Sequence, residues 1–257
     1  MADHWYYSGD HIVKLKSRDG YLNSNDENQA IISLEGEIAN GDIKPLLRLR
    51  INKVNLKVVY NYLFGPKPGD PLVNMYIVHS NEDRTSGGTY GCVRSGTDNC
   101  GDLGIPDLTS LDGKTKVHDG FDLGAPLNTD LYAMYDGEVI FVESTIPANT
   151  EGTGSNLGNR ILIKSTPSDH GIGNNNNTIY SFYGHLNFVE SEITNGSRVS
   201  QGQKIGETGR TGNAVNIDTD RYHLHLIIYE NGTNQANKVN PNNYLETDFD
   251  INGNELE

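Results

Sequence analysis

Apolar residues in this chain recur in short runs of strand length. In the first third, Ala30-Ile31-Ile32-Ser33-Leu34, Leu46-Leu47-Arg48-Leu49-Arg50-Ile51 and Leu56-Lys57-Val58-Val59-Tyr60-Asn61-Tyr62 mix alternating and continuous apolar positions, a pattern that predicts strands. The alternating set Val54, Leu56 and Val58 reads as one face of a half-buried strand. The breaker cluster from Phe64 to Pro71 and the polar, glycine-containing stretch from Asn81 to Asp112 interrupt the pattern, with regular elements disfavoured in the second. A linker is therefore expected near residues 80 to 90. Beyond it, strands are predicted at Leu131 to Phe141, Asn159 to Lys164, Thr178 to Tyr183, Val199, Lys204 to Gly206 and Tyr222 to Tyr229. Asp136-Gly137 and Asn195-Gly196 are tight-turn dipeptides, and Asn174 to Asn177 reads as a solvated loop. With no long helical pattern, the fold class expected is mainly β with an antiparallel sheet. A small β-rich N-terminal module is expected over residues 1–85 and a second domain over 86–250.

Composition narrows the function classes. The 257 residues are long enough for two small domains. With 35% hydrophobic residues, 21% charged residues and 29 glycines, they read as an ordinary, loop-rich soluble protein. A net charge of -14 disfavours nucleic-acid partners, which require a clustered basic surface. No stretch approaches the ~20 apolar residues of a membrane span, so no integral membrane association is expected. Met1 to Lys14 carries Asp3, His4 and Asp10 and lacks an apolar core, so no signal peptide is expected in this chain. Cys92 and Cys100 lie close together in a polar stretch, where a short loop closed by a disulfide and a pair of reduced thiols are both open readings.

The chemistry-bearing residues are mainly histidines. His118 and Asp122 are four apart, and in an extended chain such positions point to one side. His223 and His225 are two apart in a β-forming run, so they share a face while Leu224 and Leu226 turn to the other. Two imidazoles on one face of an apolar strand incur a desolvation cost that a metal or a hydrogen-bond network must offset. Singly, such pairs occur by chance, and an isolated histidine is usually a surface or satisfied core residue. With His185 added, the set supplies two imidazoles and a carboxylate for a metal and two further imidazoles for proton transfer. His4, His11, His79 and His170 read as incidental. Asp119 is expected to face away along a strand and Asp136 to serve a turn, both structurally. Tyr90 and Tyr183 are weak candidates for lining a substrate groove, with packing an equal alternative.

Several motifs follow one another in order: His118-Asp119-Gly120-Phe121-Asp122-Leu123, Ala133 to Val139, Gly158 to Ile163, Tyr183-Gly184-His185-Leu186, Gly196 to Gly206, Gly209 to Asn213 and His223-Leu224-His225. From about His118 to Leu245 the chain resembles the lysostaphin-like, LytM-type zinc endopeptidases of the M23 family. The resemblance implies a zinc peptidase domain over 86–250, with zinc (Zn2+) held by His118, Asp122 and His225 and a fourth position open to water. His185 and His223 would share the roles of general base and oxyanion stabiliser. It implies peptidoglycan as the partner, hydrolysis of its peptide cross-links as the activity, and action in the periplasm or the extracellular cell wall, as a lysin or a delivered antibacterial effector. The alternative on the same fold is a non-catalytic peptidoglycan binder or hydrolase regulator. Residues 214–221 are longer and more acidic than the family pattern, and Ser165 to Asn177 reads as an insertion, so substrate choice stays open. A role for the N-terminal module in wall binding, delivery or groove inhibition is equally open, as is an immunity or delivery partner.

Overall fold

The computed structural model describes the backbone of residues 4–8, 11–15, 29–38 and 43–52, together with residues 66–78, 85–96, 100, 110–152, 156–172 and 175–256. The chain divides into two compact units, Met1–Gly65 and Pro66–Glu257. In the first, β1 (His4–Ser8), β2 (His11–Leu15), β3 (Gln29–Ile38) and β4 (Ile43–Asn52) form a four-stranded antiparallel meander in sequence order. The strands expected at Ala30–Leu34 and Leu46–Ile51 fall within β3 and β4. The run from Leu56 to Tyr62, with Val54, lies outside the described residues.

The division falls at the Phe64–Pro71 breaker cluster, upstream of the linker expected at 80 to 90. Residues 66–78 belong to the second unit because their apolar side chains enter its core: Leu72 is 1% exposed and Ile77 2%, and Ile77 bridges to Leu123.

Twelve strands are described in the second unit: β5 (Gly91–Arg94), β6 (Lys116–His118), β7 (Phe121–Gly124), β8 (Asp130–Tyr132), β9 (Gly137–Glu143), β10 (Asn159–Ser165), β11 (Ile179–Leu186), β12 (Phe188–Val189), β13 (Arg198–Val199), β14 (Lys204–Glu207), β15 (His223–Glu230) and β16 (Lys238–Val239). The main sheet runs β13-β9-β10-β11-β15-β16, and β7 pairs with the first half of β15. All these pairings are antiparallel. The one α-helix among the described residues, α1 (Pro167–His170), is a single turn. The fold is therefore mainly β and antiparallel. Strand β5, inside the stretch where the sequence disfavours regular elements, forms because Cys92 and Val93 are fully buried there and β5 pairs with β6.

Period-2 alternation places the core. Val139, Ile161, Ile163, Ile179, Tyr183, Leu224, Leu226 and Ile228 point into one large apolar cluster. The opposite face carries a smaller cluster of Phe182, Ile227 and Tyr229, with Leu157, Leu162 and Tyr180 packed against it. Because Leu224 and Leu226 enter the large core, alternation turns His223 and His225 to the other face. Both remain buried, at 3% and 6% exposure.

Candidate metal and catalytic centre

Register brings the first two motifs together. In the β7–β15 pairing, His225 lies opposite Asp122 and His223 opposite Gly124. His118 and Asp122 do not share one extended strand, as the sequence led us to expect. The chain bends at Asp119-Gly120, and β6 and β7 are separate. Glycine is required at the bend, since a Cβ on Gly120 would sit 2.3 Å from the Leu226 carbonyl oxygen. The bend still returns the two side chains to each other.

His118, Asp122 and His225 converge: their nearest ligand atoms all lie within 4.8 Å of one another, and all three side chains are buried. Asp122 Oδ1 is 3.2 Å from His118 Nε2 and 2.9 Å from His225 Nδ1. The His118 Nδ1–H donates to the Thr89 carbonyl at 2.9 Å, which leaves the lone pair on Nε2. Burial pushes His118 down to about 4, against the upward pull of Asp122 and with a further depression from Arg94. Asp122 is held well below the usual carboxylate range, because the field of His118, His223 and Arg94 outweighs its burial. A neutral imidazole lone pair and a carboxylate oxygen thus face each other in a buried site. Two acceptors in that relation require a cation or a proton between them, and the borderline donor set of two nitrogens and one oxygen suits zinc.

His185 and His223 stand beside this cluster, their rings edge to face with centroids 5.2 Å apart, and His185 lies 5.9 Å from the His225 ring. Each donates its Nδ1–H to a backbone carbonyl at 2.9 Å, His185 to Thr211 and His223 to Arg221. Thr211 belongs to the Gly209–Asn213 motif, whereas Arg221 ends the 214–221 stretch that departs from the family pattern, and the two bonds set both tautomers and turn both Nε2 lone pairs outward. Burial lowers His185 to about 3 and lowers His223 as well. His185 holds a left-handed backbone with φ 64°, unusual for a residue other than glycine and pinned by its N–H bond to the Leu157 carbonyl at 2.8 Å.

Residues 116–241 match the model of peptidase family M23. The chain contains a peptidase family M23 domain. Among solved structures, this chain is similar to the catalytic domain of lysostaphin from Staphylococcus simulans, with 21% identity, a TM-score of 0.37, and coverage of 60% of this chain and 85% of that one. It is also similar to the catalytic domain of the prophage-encoded M23 protein EnpA from Enterococcus faecalis, in a mutant form, with 22% identity, a TM-score of 0.35, and coverage of 65% and 95%. A zinc-containing peptidase from Vibrio cholerae is 19% identical with a TM-score of 0.37, over 90% of this chain and 54% of that one. No curated protein matches.

Other expectations around the M23 domain change. Tyr90 and Tyr183 are core residues, 2% and 0% exposed, and offer no surface to a groove. The Tyr90 hydroxyl donates to the Lys238 carbonyl, and the Tyr183 hydroxyl accepts the Met134 N–H. Asp119 does not turn away from the site: its Oδ1 lies 3.8 Å from His225 Nε2, and its Oδ2 is paired with Lys238. Asp136 serves a turn, accepting the Gln201 N–H at 2.7 Å. His170 is a satisfied structural histidine, bonded to the Asn177 carbonyl and the Ile172 N–H. His4 and His11 lie in β1 and β2, and His79 is outside the described residues. Cys92 and Cys100 form a disulfide. Two contributors had no sequence signal. Thr89 acts through its backbone carbonyl, and Arg94, one of two arginines in a polar stretch, contacts Asp122 Oδ2.

Proposed function

We propose that this protein is a zinc-dependent endopeptidase that hydrolyses peptide cross-links of bacterial peptidoglycan, acting in the periplasm or the extracellular wall. The convergence of His118, Asp122 and His225 in a buried cluster beside His185 and His223 carries the reading. His118 Nε2, Asp122 Oδ1 and His225 Nδ1 would hold zinc, which when bound supplies Lewis acidity toward a peptide carbonyl and toward water. Three protein ligands leave room for a reactant, as catalytic zinc sites require.

The chain's own residues supply the rest. Their Nδ1–H bonds to Arg221 and Thr211 hold the His223 and His185 rings with Nε2 as the basic atom. One imidazole accepts the proton of the attacking water at Nε2 and later returns it to the departing amine. The other, once protonated at Nε2, donates a hydrogen bond to the oxyanion of the tetrahedral adduct. The two share these duties. Burial depresses both basicities in the free protein, so each proton is held only while negative charge is present to compensate it.

The test is digestion of purified peptidoglycans of different cross-link types, with released fragments identified by mass spectrometry. Zinc-loaded protein should open one defined peptide bond, and His223→Ala should lose about 10²–10⁴-fold in rate. Binding to the wall without cleavage of any type would favour the non-catalytic binder.

A further inference from the structure

We propose that the segment from Thr85 to Arg94, which precedes the family-matched residues 116–241, is the positioning element of the metal centre, with Arg94 as its positioning residue. This rests on the reading that His118, Asp122 and His225 bind zinc.

Arg94 ends β5, which pairs with β6 so that Gly91 lies opposite His118 and Arg94 opposite Lys116. Its guanidinium works in two directions. Nε donates to the Gly87 carbonyl at 2.7 Å, anchoring the group to its own segment, while Nη2 donates to Asp122 Oδ2. One oxygen of Asp122 is thereby engaged, and only Oδ1 faces His118 and His225. A carboxylate fixed in this way offers one oxygen to a metal and keeps further coordination positions for reactants.

Five residues earlier, the Thr89 carbonyl takes the His118 Nδ1–H and selects the tautomer whose Nε2 points at the cluster. Two of the three ligands are thus oriented from one short stretch, which is itself closely fitted. A Cβ on Gly88 would lie 1.7 Å from the Val78 carbonyl oxygen, and a disulfide ties Cys92 of β5 to Cys100. The rigid fork of arginine is suited to the task, because one planar group reaches both acceptors at a fixed separation. Lysine keeps the charge but has a single nitrogen.

The experiment is Zn2+ titration of chelator-stripped full-length protein against a competing chelator, with the visible spectrum of the Co2+-substituted protein as a second readout. Wild type, His118→Ala, Arg94→Gln and Arg94→Lys are compared, with folding checked by circular dichroism. Arg94→Gln should weaken Zn2+ binding by about 10–100-fold and alter the cobalt spectrum, the usual scale for losing an outer partner of a metal ligand. Arg94→Lys should not restore wild-type binding, and it supplies the measurement if the glutamine variant fails to fold. Wild-type affinity and an unchanged cobalt spectrum in the folded Arg94 variants would overturn the proposal while leaving the zinc site intact. Equal Zn2+ binding by wild type and His118→Ala would instead overturn the zinc-site reading itself.

Discussion

His118 Nε2 and Asp122 Oδ1 face each other at 3.2 Å across a chain bend, both buried and both acceptors once His118 has given its Nδ1–H to Thr89. A cation placed between them removes an unfavourable contact from the folded state, and an ion that binds only the folded state stabilises it by mass action. Zinc at about 100 times its dissociation constant should therefore raise stability by about 2.7 kcal/mol. Thermal unfolding with and without excess chelator measures this. The chelator-dependent shift should disappear in His118→Ala, and a shift of equal size in that variant would place the ion elsewhere.

The zinc-stripped protein should lose stability in mild acid. Folding lowers His118 from an ordinary 6.5 to about 4 and His185 to about 3, and lowers His223 as well. The unfolded chain therefore takes up protons that the folded one refuses. The contribution is fully present above pH 6.5 and is lost as pH falls toward 4 and 3. At about 1.4 kcal/mol per pH unit, His118 alone accounts for on the order of 3 kcal/mol. Denaturant midpoints of chelated protein should fall steadily between about pH 7 and about pH 5.5, a window that closes above the ordinary carboxylate values. A flat profile there would mean that these imidazoles are not held neutral.

Gly120→Ala should couple fold to site. Its Cβ would meet the Leu226 carbonyl oxygen at 2.3 Å, and Leu226 lies opposite Phe121 in the β7–β15 register. Relief requires β7 to shift from β15, which moves Asp122 relative to His225. We expect a loss of about 1–3 kcal/mol, the usual cost of overpacking, together with weaker zinc binding. Chemical denaturation and a chelator competition measure the two effects, and a change in stability alone would show that the shift is absorbed without moving Asp122.

Much of this centre is legible in the sequence because strand chemistry is periodic. The Tyr222-His223-Leu224-His225-Leu226 alternation predicts which side chains enter the core and which share the other face, and Leu224 and Leu226 are fully buried. Asp119 departs from its expected place because the bend at Gly120 removes it from the alternation of a continuous strand. It sits instead beside His225 Nε2 and pairs with Lys238, 119 residues away. Tyr90 and Tyr183 show the opposite limit: aromatic character is equally suited to a groove and a core, and only tertiary packing separates the two. The domain boundary lies earlier than the expected linker because breaker residues mark the ends of regular elements, whereas Leu72 and Ile77 join the second core from an irregular segment.

The most direct measurement is stoichiometric zinc add-back to stripped protein, with new amino groups released from purified cross-linked peptidoglycan as the signal. The account predicts no release without metal, a linear rise, and a plateau at about one zinc per chain, the capacity of a single mononuclear site. Full hydrolysis by the stripped protein, or no new amino groups from any wall type at any zinc level, would contradict it.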